Sequence, residues 1–196
     1  MTVVKVRSVA DGPDLLNQAV FRGLARALSR PGEIVELSGG IEARAPLPPS
    51  VAAVCRCLVD GEATVWLDTA FDAAPVRDFL RFYCNAKITA DPARAVFALI
   101  GDAARMPRLD GFAAGDAMAP DGSTTLVVAV SSLDGGPVTR LSGPGIETSV
   151  HVAPADLPGW FWSDWDRNTN RYPLGVDLFF CGGGRVMGLP RTARRI

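Results

Sequence analysis

Few side chains in this sequence are placed to do chemistry, and one acid stands out. Asp177 lies inside Val176–Cys181, an apolar run with Leu178, Phe179 and Phe180. A buried carboxylate is costly unless a cation or several donors meet it. Arg191, Arg194 and Arg195 follow closely and are the nearest partners. Two readings stand: an edge-facing or internally paired acid, or a ligand or partner contact at the rim of a sheet. Cys55, Cys57, Cys84 and Cys181 form no C-x-x-C pair and sit in apolar segments, so they read as small buried hydrophobes in a reducing compartment. His151 is the single histidine, which speaks against zinc and leaves a Ser-His or Cys-His nucleophile one base only. It lies in Ser149-Val150-His151-Val152, an alternating, strand-like run.

Lysine is nearly absent. Lys5 and Lys87 are the only two, no P-loop exists, and neither lysine suggests a Schiff base. Arginine suits planar, bidentate contact with carboxylate or phosphate, although arginine-rich usage also follows from GC-rich coding. Arg22, Arg26 and Arg30 recur every four residues along one helix flank, as a solvated face or a surface for an acidic partner.

The elements that must position these groups read as follows. Asp14–Ser29 is a helix capped by Asp14, with Phe21, Leu24, Ala25 and Leu28 as its apolar stripe. Glu33–Leu37 is a strand. A second helix starts from Ser50 as cap, with Val51, Val54, Cys55 and Leu58 inward, and Thr64–Leu67 is a strand. The next helix opens at Asp72 or Ala74 with Pro75 in its first turn, and faces inward through Val76, Phe79, Leu80 and Tyr83. Ala95–Ile100 and Thr125–Val130 are apolar runs suited to strands covered on both faces. Between them, Arg105–Ser123 reads as a short helix and a long exposed loop. Val138–Ser142 is a half-exposed strand, followed by the bend Leu141–Ile146, whose Gly-Pro-Gly is a structural corner or an approach for an anion. Pro158–Thr169 is a short helix bearing Phe161, Trp162 and Trp165. It is core or subunit interface, or else a platform for a nucleotide base. Val176–Cys181 and Arg185–Leu189 form a hairpin about Gly182-Gly183-Gly184.

The chain has 196 residues, 48% hydrophobic and 21% charged, with formal net charge −1. This predicts one α/β domain over residues 1–196, a three-layer sandwich with a mixed sheet closed by the C-terminal hairpin. The neutral balance gives no footprint for nucleic acid, and no apolar run is long enough for a membrane span. The expected compartment is the cytoplasm, since the N-terminal segment lacks a signal-peptide core.

Four segments carry a resemblance. They are Phe21-Arg22 with Ala27–Gly32, Ser132–Gly136, Leu141–Ile146, and Tyr172–Leu178 with Leu189-Pro190-Arg191-Thr192. In this order and spacing they resemble the PhnH family, a subunit of the bacterial carbon–phosphorus lyase system. The resemblance implies a fold similar to the large domain of pyridoxal-phosphate-dependent transferases, without the cofactor. It implies a homodimer in isolation and a core complex with PhnG, PhnI and PhnJ. That complex, with partners, makes a ribose 1-phosphonate 5-triphosphate from ATP and an alkylphosphonate. Tyr83-Cys84 and Ala193 depart from the family pattern, which often has His-Thr and Thr there. No catalytic, cofactor or metal residue carries over. Arg22, Asp177, Arg191, Thr192 and Trp165 are the candidate ligand or partner contacts. The competing expectation is an independent nucleotide- or phosphonate-binding enzyme using Arg and Asp residues.

Overall fold

The computed structural model describes residues 3–6, 13–37 and 46–196. Its frame is an eight-stranded mixed sheet in the order β1-β2-β10-β9-β6-β5-β3-β4. These strands are β1 (Val3–Val6), β2 (Ile34–Leu37), β3 (Thr64–Leu67), β4 (Lys87–Thr89), β5 (Phe97–Ile100), β6 (Thr125–Ala129), β9 (Asp177–Gly182) and β10 (Arg185–Leu189). Every neighbouring pair is parallel except the two that involve β10. A second, three-stranded antiparallel sheet runs β11-β7-β8, from β7 (Thr139–Ser142), β8 (Val150–Val152) and β11 (Arg194–Arg195).

Side chains alternate along the strands and so feed two cores. Val35, Phe97, Leu99, Val127, Phe179, Cys181 and Val186 meet helices α1 (Pro13–Ser29), α2 (Pro49–Leu58) and α3 (Ala74–Cys84) on one face. Ile34, Ala98, Ile100, Leu126, Leu178, Phe180 and Met187 meet α4 (Phe161–Thr169) and the small sheet on the other. The result is three layers about a mixed sheet. β5, β6 and β9 are apolar on both faces because both faces are covered.

The hairpin forms as its glycines dictate. Arg185 pairs with Gly182, leaving Gly183-Gly184 as a two-residue loop with Gly183 at φ +61°. A different glycine sets the packing of α1. A Cβ on Gly188 would lie 2.5 Å from the backbone of Ala27, so helix and strand touch main chain to main chain. Gly188→Ala is expected to push α1 outward and lower stability by about 1–3 kcal/mol, read from the urea midpoint.

Several local expectations change. The buried stripe of α1 is Ala19, Val20, Leu24 and Ala27, while Phe21 and Ala25 are exposed. Phe21 therefore adds no core burial; the helix is rotated so that Ala27 can meet Gly188. The helix begins at Pro13, which puts Asp14 in its first turn rather than before it, and the Asp14 side chain lies outside the described residues. Helix α2 likewise begins at Pro49, with Ser50 buried in its first turn and the Ser50 N–H donated to the Gly183 carbonyl at 3.0 Å. Cys84, not Tyr83, ends the inward face of α3, leaving Tyr83 and Phe82 exposed. The segment 105–123 holds 3₁₀ turns and one isolated bridge, Ala114 to Ser123, in place of a helix, and is anchored by buried Met106, Leu109 and Phe112. Strands β1 and β4 were not legible: Lys5 lies in β1 rather than in a tail, and Lys87 opens β4.

Candidate functional site

Asp177 begins β9, and Arg191 follows β10 across the hairpin, so the antiparallel register brings the two together. Arg191 Nε donates to Asp177 Oδ1 and Oδ2 at 3.2 and 3.1 Å, and its Nη2 donates to Oδ2 at 2.5 Å. The Arg191 backbone N–H donates to Oδ1 at 2.7 Å. Nη1 donates to the carbonyls of Pro120 and Pro173 at 3.0 and 3.1 Å, and Nη2 also reaches the Ser123 hydroxyl. A guanidinium has five N–H donors, and five bonding directions are occupied here. The acid is thus internally paired. The pair ties the start of β9, the loop at 120–123 and the Tyr172-Pro173 corner into one knot.

A second convergence is more open. The segments Arg30–Glu33, Asp134 and Gly145–Ala153 line a groove of about 640 Å³ between the end of α1 and the small sheet. Gly145, at φ +81°, lets the bend 143–146 press against the end of α1, where a Cβ would lie 2.0 Å from the Ser29 carbonyl oxygen. Only glycine fits that approach and that backbone. Arg30 and His151 line the groove and are exposed. Glu33 is held at its wall by Arg26, Nε to Oε2 at 2.7 Å. The corner reading of Gly143-Pro144-Gly145 therefore has a physical basis, and three of the four resemblance segments meet here. Sequence reasoning missed that Arg30 and His151 line one groove, because only the tertiary fold sets the end of α1 beside β8.

The remaining candidates have different settings. Trp165 is fully buried in α4, stacks on Phe161 with ring centres 6.3 Å apart, and donates its indole N–H to the Ala193 carbonyl at 2.8 Å. It offers no face to a nucleotide base. Arg22 is exposed on α1, and Thr192 is half-buried, its carbonyl against Gly143. At the carboxyl ends of the parallel strands, where open α/β sheets commonly hold ligands, Asp68 is consumed by the N–H groups of Phe71, Gly101 and Asp102 at 2.8–2.9 Å. No group of three or more His, Cys, Asp or Glu among the described residues could hold a metal ion.

Burial pushes the Cys55 thiol well up, Cys84 to about 11 and Cys181 to about 12. Cys57 is half-buried and also raised by burial. A raised thiol pKa keeps the group protonated at neutral pH, and the thiolate is the reactive form. We expect a disulfide reagent at pH 7.5 to modify at most Cys57 in the folded chain and all four thiols after unfolding in guanidinium. Rapid titration of two or more native thiols would contradict the buried arrangement.

Residues 11–195 match the family described as "Bacterial phosphonate metabolism protein (PhnH)". The chain is 37% identical over 177 residues to the alpha-D-ribose 1-methylphosphonate 5-triphosphate synthase subunit PhnH of Rhizobium meliloti (strain 1021), covering 90% of this chain and 88% of that one. It is 33% identical over 181 residues to the putative C-P lyase subunit protein HtxG of Stutzerimonas stutzeri, covering 89% of this chain and 83% of the other. The groove, the knot at Arg191 and the glycine corners are thus features of a chain that belongs to the PhnH family of bacterial phosphonate metabolism proteins.

Proposed function

We propose that the chain acts as a subunit of a carbon–phosphorus lyase assembly, supporting formation of a ribose 1-alkylphosphonate 5-triphosphate from ATP and a phosphonate. The observation that carries this reading is the identity of 37% to a synthase subunit across 90% of the chain. The geometry agrees: the best-formed polar cluster, at Asp177 and Arg191, spends its donors on the fold. PhnG, PhnI and PhnJ are its expected partners, and a homodimer is expected when it is alone. The expected setting is the cytoplasm, and among the described residues no helix is long and apolar enough to cross a membrane. Likeness to the large domain of pyridoxal-phosphate-dependent transferases is part of the proposal. It is supported by a largely parallel sheet with the single antiparallel strand β10 and by helices on both faces.

Tagged chain co-expressed with PhnG, PhnI and PhnJ should co-elute with them, and the isolated chain should give no saturable heat with ATP or methylphosphonate. A monomer that never co-elutes overturns the subunit reading. Saturable binding of ATP by the chain alone would favour an independent nucleotide-binding enzyme.

A further inference from the structure

The small sheet ends on β8, whose outer edge no strand covers among the described residues. Register fixes what that edge presents. In β7, the Arg140 carbonyl accepts the Ile196 N–H at 3.0 Å, on the side of β11. The N–H and C=O of one strand residue point the same way, and the direction alternates along the strand. Thr139 and Leu141 therefore face β8, where their partners are Val152 and Val150. His151, opposite Arg140, turns its N–H and C=O outward, and neither group has a partner among the described residues. This open edge lines the groove of about 640 Å³ whose opposite wall is Arg30–Glu33.

We propose that this edge receives an extended segment of a partner subunit by strand addition, with an acidic residue between two apolar ones. Unpaired main chain at a sheet edge is a template for another strand. Side chains on paired strands share a face when their residues lie opposite one another. Arg140 and His151 are such a pair, both are exposed, and neither side chain has an ion pair or hydrogen bond among the described residues. A carboxylate opposite His151 extends this row: it neighbours the imidazole, and the long Arg140 side chain lies beyond, about 10 Å away at the backbone. The residues on either side of it point to the other face, beside half-buried Val150 and buried Val152, and so are apolar. Of the other charges lining the groove, Glu33 is held by Arg26 and Asp134 accepts from the Ser132 hydroxyl, while exposed Arg30 adds a cation and exposed Glu147 a carboxylate that the occupant's acid must keep away from. A second copy of this chain is a poor occupant. Antiparallel pairing about His151 would set His151 against His151, with Arg140 flanking on both sides.

The inference rests on the subunit reading above, and its test is separable from it. A fluorescent pentapeptide, Thr-Val-Glu-Val-Thr with blocked ends, is titrated into the isolated chain and followed by anisotropy. Saturable binding is expected. Methylating the peptide amides that face the edge should weaken it at least ~10-fold. Replacing Glu by Lys should weaken it about 10-fold, and Arg140→Glu should reverse that preference. No saturable binding, or equal binding of the methylated peptide, overturns the proposal. Disulfide-linked dimers of His151→Cys that exclude the peptide would assign the edge to a second copy instead, and also overturn it. If wild type and Arg140→Glu co-elute equally with the partner subunits, the edge proposal falls while the subunit reading stands. If wild type never co-elutes but binds the peptide with the expected preferences, the reverse holds.

Discussion

Arg191→Met is expected to lower stability by roughly 3–5 kcal/mol, the cost of removing one partner from a buried ion pair. The side chains of Arg191 and Asp177 are 12% and 24% exposed, so water screens this pair little. Methionine would fill much of the volume but leave Asp177 without its cation. The carbonyls of Pro120 and Pro173 and the Ser123 hydroxyl would lose their donor together. For a chain of this length the loss corresponds to a melting point lower by about 6–20 °C. Arg191→Lys should recover only part of it, because one ammonium cannot reach four groups in a planar fan. A melting point within about 2 °C of wild type for Arg191→Met would show that the knot is dispensable. The same variant tests the alternative in which Arg191 serves a ligand, since a ligand contact would change binding and leave the melting curve in place.

The second large effect is at Trp165. Trp165→Asp should prevent folding, because it places a carboxylate in a site with no exposure and leaves the Ala193 carbonyl unpaired. Trp165→Ala, which removes the ring without adding charge, should cost about 3–5 kcal/mol. Trp165→Phe keeps the stack on Phe161 but loses the indole N–H, and should cost about 1–3 kcal/mol. Denaturant unfolding of this graded series separates a core role from a docking role. If Trp165→Asp folded normally and lost only its partners, the tryptophan would have to leave the core for the surface.

What could be read from the chain beforehand depended on how local the cause was. Pro75, the hairpin glycines and the apolar runs at β5, β6 and β9 act through neighbouring residues, and their elements formed as expected. The rotation of α1 was hidden, since Phe21 and Val20 are equally apolar and only the contact of Ala27 with Gly188 decides which turns inward. β1 and β4 are short edge strands, with three or four residues each and little apolar alternation. At the site, Asp177 announced itself because an acid in an apolar run needs a partner. The pairing of Arg140 with His151 did not, because a cross-strand register cannot be seen from either strand alone.

The position of β10 has a consequence for how the molecule is made. It sits between β2 and β9, so residues near the start of the chain reach the sheet only through a strand synthesised almost last. During translation, β3 to β6 can assemble early and α1 can pack on α2, but β2, paired only with β1, stays apart from the rest of the main sheet until β10 emerges. Contacts of such long sequence separation slow folding, and this interval is when a chaperone or a partner subunit would have most to gain by capturing the nascent chain.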